Sequence, residues 1–192
     1  DDNDVTLFYY SGHGCEYGDS RYDGALVGSD GTQVQREAVF EHLDRVPGTV
    51  VILLDSCLSG NFIDDAKGVR AKAAANAFNR AFIDAVRTRA QAKGTADKYK
   101  IITACASSQD SYCDDDGGFF TRSLAWGMGC QYRSGGTQKV DMQADTNNDN
   151  LVSLQEAYLY AYDNVQAILS AYGGGDRQDV QVWPANDAFS IY

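Results

Sequence analysis

The sequence lacks the features of a membrane protein or a nucleic-acid-binding protein. It has no apolar run near the roughly 20 residues that a membrane-spanning helix needs. Basic residues are few: 16 Lys and Arg stand against 27 Asp and Glu, for a net charge of −11 over 192 residues. Because such a surface repels phosphates and anionic lipids, the charge argues against nucleic acid and membranes as partners and favours cationic ligands or metal ions.

Cysteine and histidine are scarce as well. The five cysteines are odd in number and form no C-x-x-C pair, which argues against a disulfide framework and a zinc site. One of the two histidines, His42, falls on the charged side of a predicted helix, where we expect a solvated, structural side chain. We expect four of the cysteines to be ordinary residues, namely Cys15, Cys105, Cys113 and Cys130.

Length and composition predict one globular domain over residues 1–192. The chain is 44% hydrophobic and 22% charged, and it is long enough to bury a full core. It begins at Asp1, without an initiator Met or a signal peptide, directly before an apolar segment, which favours a fragment or a processed product. The compartment stays open, with a secreted or periplasmic location favoured over the cytoplasm.

Two short apolar runs predict strands that are buried on both faces of a mainly parallel sheet. They are residues 5–10, VTLFYY, and residues 50–54, VVILL. Each run is followed by small and reactive residue types, His13 after the first and Asp55 and Cys57 after the second. Open α/β sheets place their chemistry at the carboxyl ends of such strands.

If the two strands are parallel neighbours, His13 and Cys57 emerge at one edge of the sheet. The imidazole could then take the thiol proton, as in a nucleophilic dyad. A cysteine at a strand end is also explained as a small core residue, because unpaired cysteine is among the most buried residue types. The pattern leaves both interpretations open.

The remaining pattern predicts alternating strands and helices. Residues 36–43 form a crossover helix with Val39, Phe40 and Leu43 on one face, which completes a right-handed βαβ unit. The other expected elements are a hairpin at 24–31, a basic helix within 66–93, a strand at 100–106, a mobile acidic loop at 114–118, helices at 119–128 and 154–172, and a last apolar stretch at 189–192.

Two motifs resemble those of a known family. YSGHG at residues 10–14 and DSCLSG at 55–60 are similar to the histidine and cysteine motifs of caspase-like peptidases, nearest to metacaspases and their bacterial relatives. TACAS at 103–107, followed by Phe120 and Thr121, extends the resemblance. It covers most of the chain, and it implies an α/β fold, a three-layer sandwich whose mostly parallel central sheet lies between helices.

The resemblance also implies catalytic roles. Cys57 would be the nucleophile and His13 the general base and acid. The backbone N–H groups of Gly14 and Cys57 would hold the oxyanion. The chemistry needs such a partner, because a thiol with a pKa near 8.5 is only partly ionised at neutral pH.

Asp55 and Ser11 match positions that line the S1 pocket in this family. An acidic residue at position 55 implies a substrate with Arg or Lys. The alternative is a strand-end carboxylate satisfied by backbone N–H groups. The resemblance therefore implies a cysteine endopeptidase that cleaves after Arg or Lys and processes itself, with residues 67–93 as the basic segment that it would cut.

Other interpretations stay open. One is a legumain-like peptidase with a preference for Asn, and another is a catalytically silent calcium-binding or interaction domain on the same fold. The family fold also has two strands and a helix ahead of the histidine strand, and this sequence has no counterpart. We expect either a separate N-terminal chain as a partner or a truncated chain, so that protein or peptide substrates would meet an incomplete pocket wall.

Residues 145–156 have the spacing of an EF-hand calcium loop, with Asn150 at the position that is usually Gly. The alternative is a polar loop whose Glu156 starts a helix. We expect Ca²⁺ here, in a structural more than a catalytic role, and no organic cofactor. Metacaspases often bind calcium at another acidic site, for which Asp19, Asp23, Asp64 and Asp65 are the nearest candidates. The predicted loop ligands are Asp145, Asn147, Asp149, Leu151 through its carbonyl, Ser153 and Glu156.

Overall fold

A six-stranded sheet lies between two helical layers in the computed structural model of the chain. The structure describes residues 1–17, 20–57, 98–105, 111–133, 136–173 and 177–192. The strands are β1 Val5–Tyr17, β2 Ser20–Val27, β3 Gln33–Gln35, β4 Thr49–Cys57, β5 Tyr99–Thr103, β6 Cys113–Asp114, β7 Gly117–Gly118, β8 Cys130–Arg133, β9 Gly136–Lys139 and β10 Gln181–Trp183. The helices are α1 Arg36–Leu43, α2 Phe119–Gly127 and α3 Leu154–Ala171.

The order of strands in the sheet is β10-β5-β4-β1-β2-β3. The three central strands β5, β4 and β1 run parallel, and the outer strands β10, β2 and β3 pair antiparallel. This is the predicted α/β sandwich, and the predicted hairpin is the antiparallel pair β2–β3. Two further two-stranded ribbons, β6–β7 and β8–β9, lie apart from this sheet.

Strand β4 is apolar throughout its first part because both of its faces are covered. Val51 and Leu53 belong to the core under α2 and α3. Residues of the opposite parity, among them Ile52 and Leu54, belong to the core under α1. The side chains of a strand alternate between faces, so a strand between two layers needs apolar residues at every position.

Helix α1 covers one face of the sheet, as its pattern predicted. Val39, Phe40 and Leu43 are buried there, and the Phe40 ring meets the edge of Tyr99 at a centroid distance of 5.8 Å. Helix α3 covers the other face with a stripe of buried residues. This stripe is Leu154, Ala157, Ala161, Val165 and Leu169, whose spacing follows the helical repeat.

The two motif-bearing strands are longer than the apolar runs predicted. Strand β1 continues through the SGHG segment and β4 continues to Cys57. The physical reason is their mutual pairing: each residue from Ser11 to His13 has a ladder partner between Asp55 and Cys57. Parallel pairing satisfies backbone groups whatever the side chains are, so polarity does not mark the strand end.

The acidic segment 114–118 is part of a hairpin, not the mobile loop that its composition predicted. Asp114 of β6 accepts two hydrogen bonds from Nη1 of Arg122, at 2.9 and 3.0 Å, and a third from the Tyr172 hydroxyl at 2.6 Å. Arg122 lies in α2, 8 residues away in the chain, and Tyr172 directly follows α3, 58 residues away. They fix a segment that looks solvated in isolation.

No helix in the described ranges is long and apolar enough to cross a membrane. The expected basic helix and the predicted processing segment at 67–93 lie outside the described residues, as do Asp19, Asp64 and Asp65. The side chain of Asp23 is outside them too.

Candidate active site

The pairing of β1 with β4 brings the two motif residues together. Ser11 is the register partner of Asp55, and His13 is the partner of Cys57. Neighbouring strands lie about 4.8 Å apart, and paired positions share a face of the sheet. Positions 13 and 57 are therefore adjacent, on the face that carries α2, while the side chain of Cys57 lies outside the described ones.

The backbone at His13 is held by Tyr10 from the opposite face of the sheet. The Tyr10 hydroxyl donates to the His13 carbonyl at 2.6 Å and accepts the N–H of Val27 at 3.3 Å. Burial raises the pKa of this hydroxyl. A Cβ on Gly12 would stand 2.7 Å from the same oxygen, so the glycine of the SGHG segment makes room for this contact. The histidine side chain itself is exposed to solvent.

Gly14 marks the point where β1 changes its neighbour. It is buried and pairs with Leu26 of β2, directly after the last residue that pairs with β4. Its role as an oxyanion donor stays a prediction. Ser11 is exposed beside Asp55, and its role in the pocket stays a prediction too.

Asp55 is buried, with 5% of its surface exposed, and its carboxylate accepts hydrogen bonds from three donors. Oδ2 accepts the Thr121 backbone N–H at 3.1 Å and the Thr121 hydroxyl at 2.5 Å, and Oδ1 accepts the Ser111 hydroxyl at 3.0 Å. Burial raises the pKa of this carboxyl, and the hydrogen bonds from Thr121 and Ser111 oppose the rise.

Asp55, which lies in strand β4, also caps the N-terminus of helix α2. The N-cap residue of that helix, Gly118, has no side chain to accept a hydrogen bond, and Asp55 accepts the N–H of Thr121 in the first turn instead. A Cβ at Gly118 would lie 2.2 Å from Oδ2 of Asp55. The helix therefore approaches strand β4 this closely only because residue 118 is glycine.

A second layer of polar contacts surrounds Asp55. The side chain of Gln178 is fully buried and donates through Nε2 to the Ser111 hydroxyl at 3.2 Å and to the Ala104 carbonyl at 3.0 Å. Its Oε1 accepts the Tyr112 N–H at 2.9 Å. Sequence reasoning assigned no role to Ser111, Thr121 or Gln178. The one available signal was Thr121, which belongs to the motif resemblance.

Side chains of the loop at 145–156 accept hydrogen bonds from its own backbone N–H groups. Asp145 accepts the N–H groups of Asp149 at 3.1 Å and Asn150 at 2.9 Å, and Asn147 accepts the first of these as well. Asn148 and Asn150 have φ of 61° and 64°, which is the left-handed region that Asn tolerates. Asn150 thus has the conformation for which the sequence pattern usually uses Gly.

The Glu156 carboxylate accepts hydrogen bonds from residues near both ends of this loop. It accepts the N–H and hydroxyl of Ser153 at 3.0 and 2.8 Å, in a capping box for α3, and the N–H and hydroxyl of Thr146 at 3.2 and 2.9 Å. These bonds, led by that from the Ser153 N–H, lower its pKa from 4.5 to about 2. Within the described ranges, no three His, Cys, Asp or Glu side chains converge to hold a metal ion.

Comparison with known proteins gives a family and a fold. The family model described as the caspase domain matches residues 1–166. Among solved structures, the chain is similar to the crystal structure of protein GSU0716 from Geobacter sulfurreducens, with 18% identity and a TM-score of 0.50. That match covers 95% of this chain and 66% of the other, so this chain spans about two thirds of that protein, and the likeness concerns the fold alone. No curated protein matches the chain.

Proposed function

The chain belongs to the caspase family of cysteine peptidases, and from this premise we propose that it is an endopeptidase in which His13 and Cys57 form the catalytic dyad. The observation that carries the proposal is the register of β1 with β4, which pairs these two positions across adjacent parallel strands. Both residue types are those that thiol-dependent acyl transfer needs.

The proposed mechanism uses groups of this chain alone. His13 takes the thiol proton of Cys57, and the thiolate attacks the carbonyl carbon of the scissile peptide. The N–H groups of Gly14 and Cys57 stabilise the negative oxygen. His13 then protonates the leaving amine, and water, deprotonated by the same imidazole, hydrolyses the thioester.

We assign the S1 carboxylate to Asp55, with Ser11 beside it, and hence a substrate Arg or Lys. A carboxylate has about four acceptor sites. The contacts with Thr121 use two of them on Oδ2 and the contact with Ser111 uses one on Oδ1. Within the described structure one acceptor site on Oδ1 remains for a substrate cation, whose charge would offset the cost of burying this carboxylate.

The dyad is tested by the rate at which a small neutral alkylating reagent modifies Cys57. We expect the pH dependence of this rate to shift towards higher pH in His13→Ala, because the thiolate loses its partner. His42→Ala is the matched control, since the ring of His42 is exposed and, among the described residues, its hydrogen bond is to the carbonyl of Ala38, at 2.8 Å. Equal pH profiles in wild type and His13→Ala would eliminate the dyad.

Peptide substrates separate the competing functions. The proposal expects cleavage after Arg and Lys in fluorogenic peptides, and none by Cys57→Ala. Cleavage after Asn alone would favour the legumain-like alternative. A folded protein that cleaves none of these peptides and whose Cys57 reacts like a free thiol would favour a silent domain.

We also propose that the loop 145–156 binds Ca²⁺. Its spacing and its turns at Asn148 and Asn150 support this, and the donors would be oxygens of Asp145, Asn147, Asp149, Leu151, Ser153 and Glu156. Glu156 would have to exchange its hydrogen bonds with Thr146 for the cation. The effect would be to order the start of α3.

A further inference from the structure

The hydroxyl groups around Asp55 have defined directions. An ionised carboxylate only accepts hydrogen bonds, so the single hydroxyl proton of Thr121 points to Oδ2 of Asp55. The Thr121 oxygen lies 2.9 Å from the Tyr9 hydroxyl and must therefore accept from it. Tyr9, Thr121 and Asp55 form a chain of donors that ends on the carboxylate.

The other carboxylate oxygen is reached by a second chain of donors. The Gln178 amide cannot be flipped without loss, because its Oε1 accepts the Tyr112 N–H and its Nε2 donates to the Ala104 carbonyl. The Ser111 oxygen accepts from this Nε2. The Ser111 hydroxyl donates its proton to Oδ1 of Asp55, at 3.0 Å.

Burial makes the direction of the second chain persistent, whereas Tyr9 of the first chain is 46% exposed. Gln178 is 0% exposed, Ser111 3% and Asp55 5%. Water cannot replace the donors at such positions, and a buried polar group left without its partner costs more than the bond itself contributes. The buried chain from Gln178 through Ser111 therefore holds Oδ1 of Asp55 in place, and the Thr121 N–H and hydroxyl hold Oδ2.

We infer that Thr121 and Ser111 are specificity-positioning residues, which hold the Asp55 carboxylate in the one orientation that leaves an acceptor site for a basic substrate side chain. Gln178 fixes the direction in which the Ser111 hydroxyl donates, and the Thr121 oxygen accepts from Tyr9 while its proton points to Asp55. The inference rests on the proposed S1 role of Asp55, and it adds residues that lie 56 and 66 positions further along the chain.

The test compares an arginyl peptide with its citrulline analogue, which has nearly the same shape and no charge. Thr121→Val removes the hydroxyl and keeps the backbone N–H. It should lower the Arg to citrulline ratio of kcat/KM about tenfold to a hundredfold, the worth of one hydrogen bond to a charged group, mainly through KM. Thr121→Ser should restore the ratio.

Two measurements separate positioning from general damage. Ser123→Ala removes a buried hydroxyl of the same helix, which donates to the Phe119 carbonyl at 2.6 Å and does not contact Asp55. It should leave the ratio unchanged. The rate at which the neutral reagent alkylates Cys57 should also stay within about twofold of wild type in Thr121→Val. Ser111→Ala provides a second variant, expected to lower the ratio, should Thr121→Val fail to fold.

The outcomes distinguish this inference from the proposed function. If wild type cleaves no arginyl peptide, both fail. If Asp55→Asn abolishes the Arg preference while Thr121→Val and Ser111→Ala keep it, only the positioning role is overturned. An equal loss of ratio in Ser123→Ala would overturn it as well, because helix damage would then explain the effect.

Discussion

Glu156 connects the loop 145–156 to helix α3, and its replacement gives a stability prediction that the structure quantifies. Glu156→Gln keeps the size of the side chain and removes the charge that accepts from Ser153 and Thr146. The fall of its pKa from 4.5 to about 2 would be worth about 3 kcal/mol at full strength. Solvent screens this partly exposed carboxylate, so we expect a loss of about 1–2 kcal/mol, as for other helix caps.

The pH dependence follows from the direction of the pKa shift. Because the pKa is lower in the folded state, the stabilisation is complete above the unfolded value near 4.5 and disappears as the pH falls from there towards 2. The assay is urea unfolding of wild type and Glu156→Gln, without calcium, at neutral pH and at several values below 4.5. The difference in the free energy of unfolding between the two proteins should become smaller as the pH falls below 4.5.

Asp163→Asn is the matched control, since it removes an exposed charge from the same helix. It should change the stability by less than about 0.5 kcal/mol. A difference between wild type and Glu156→Gln that stays constant down to the acid limit would refute the carboxylate as the cause. So would an equal loss in Asp163→Asn.

A second prediction concerns the effect of calcium on the thermal stability of Glu156→Gln. The cation should raise Tm of the wild type, and Glu156→Gln should remove most of this shift. Asp149→Asn keeps the capping box and should remove most of the shift as well, which separates ligand loss from cap loss. Equal calcium heats in wild type and Glu156→Gln would eliminate this loop and direct attention to Asp19, Asp23, Asp64 and Asp65.

Three further predictions concern activity, processing and the fold. Asp55→Asn should lower kcat/KM for arginyl peptides in steady-state kinetics, by an amount that corresponds to a loss of roughly 2–4 kcal/mol of transition-state stabilisation. Unchanged cleavage would remove the S1 assignment. Wild type on prolonged incubation should be cut within residues 67–93, as mass spectrometry would detect, and equally fast cutting of Cys57→Ala would exclude self-processing. Gly48→Ala should cost about 2 kcal/mol or more in urea unfolding, because φ is 75° and a Cβ would lie 2.1 Å from the Asp4 carbonyl oxygen; a smaller loss would contradict that geometry.

The local pattern of the sequence determined the elements that carry the motifs. The apolar runs before His13 and Asp55 predicted two parallel strands, and the buried faces of α1 and α3 follow the spacing of their apolar residues. The expectation that both strands are buried on both faces was wrong for the first, where Val5, Leu7 and Tyr9 are exposed. The caspase family was also evident from two motifs in order, because short segments with special backbone and side-chain needs are visible without tertiary information.

Only the tertiary structure decided how these elements meet. The exact pairing of His13 with Cys57 depends on a register that no single strand contains. The alternative interpretation of Asp55, a strand-end carboxylate satisfied by backbone N–H groups, did not foresee that two of its three donors are hydroxyls, from Ser111 and Thr121. The hairpin at 113–118 was misjudged as mobile for the same reason. One of its partners, Tyr172, lies 58 residues from Asp114, and periodicity and composition report only on neighbours.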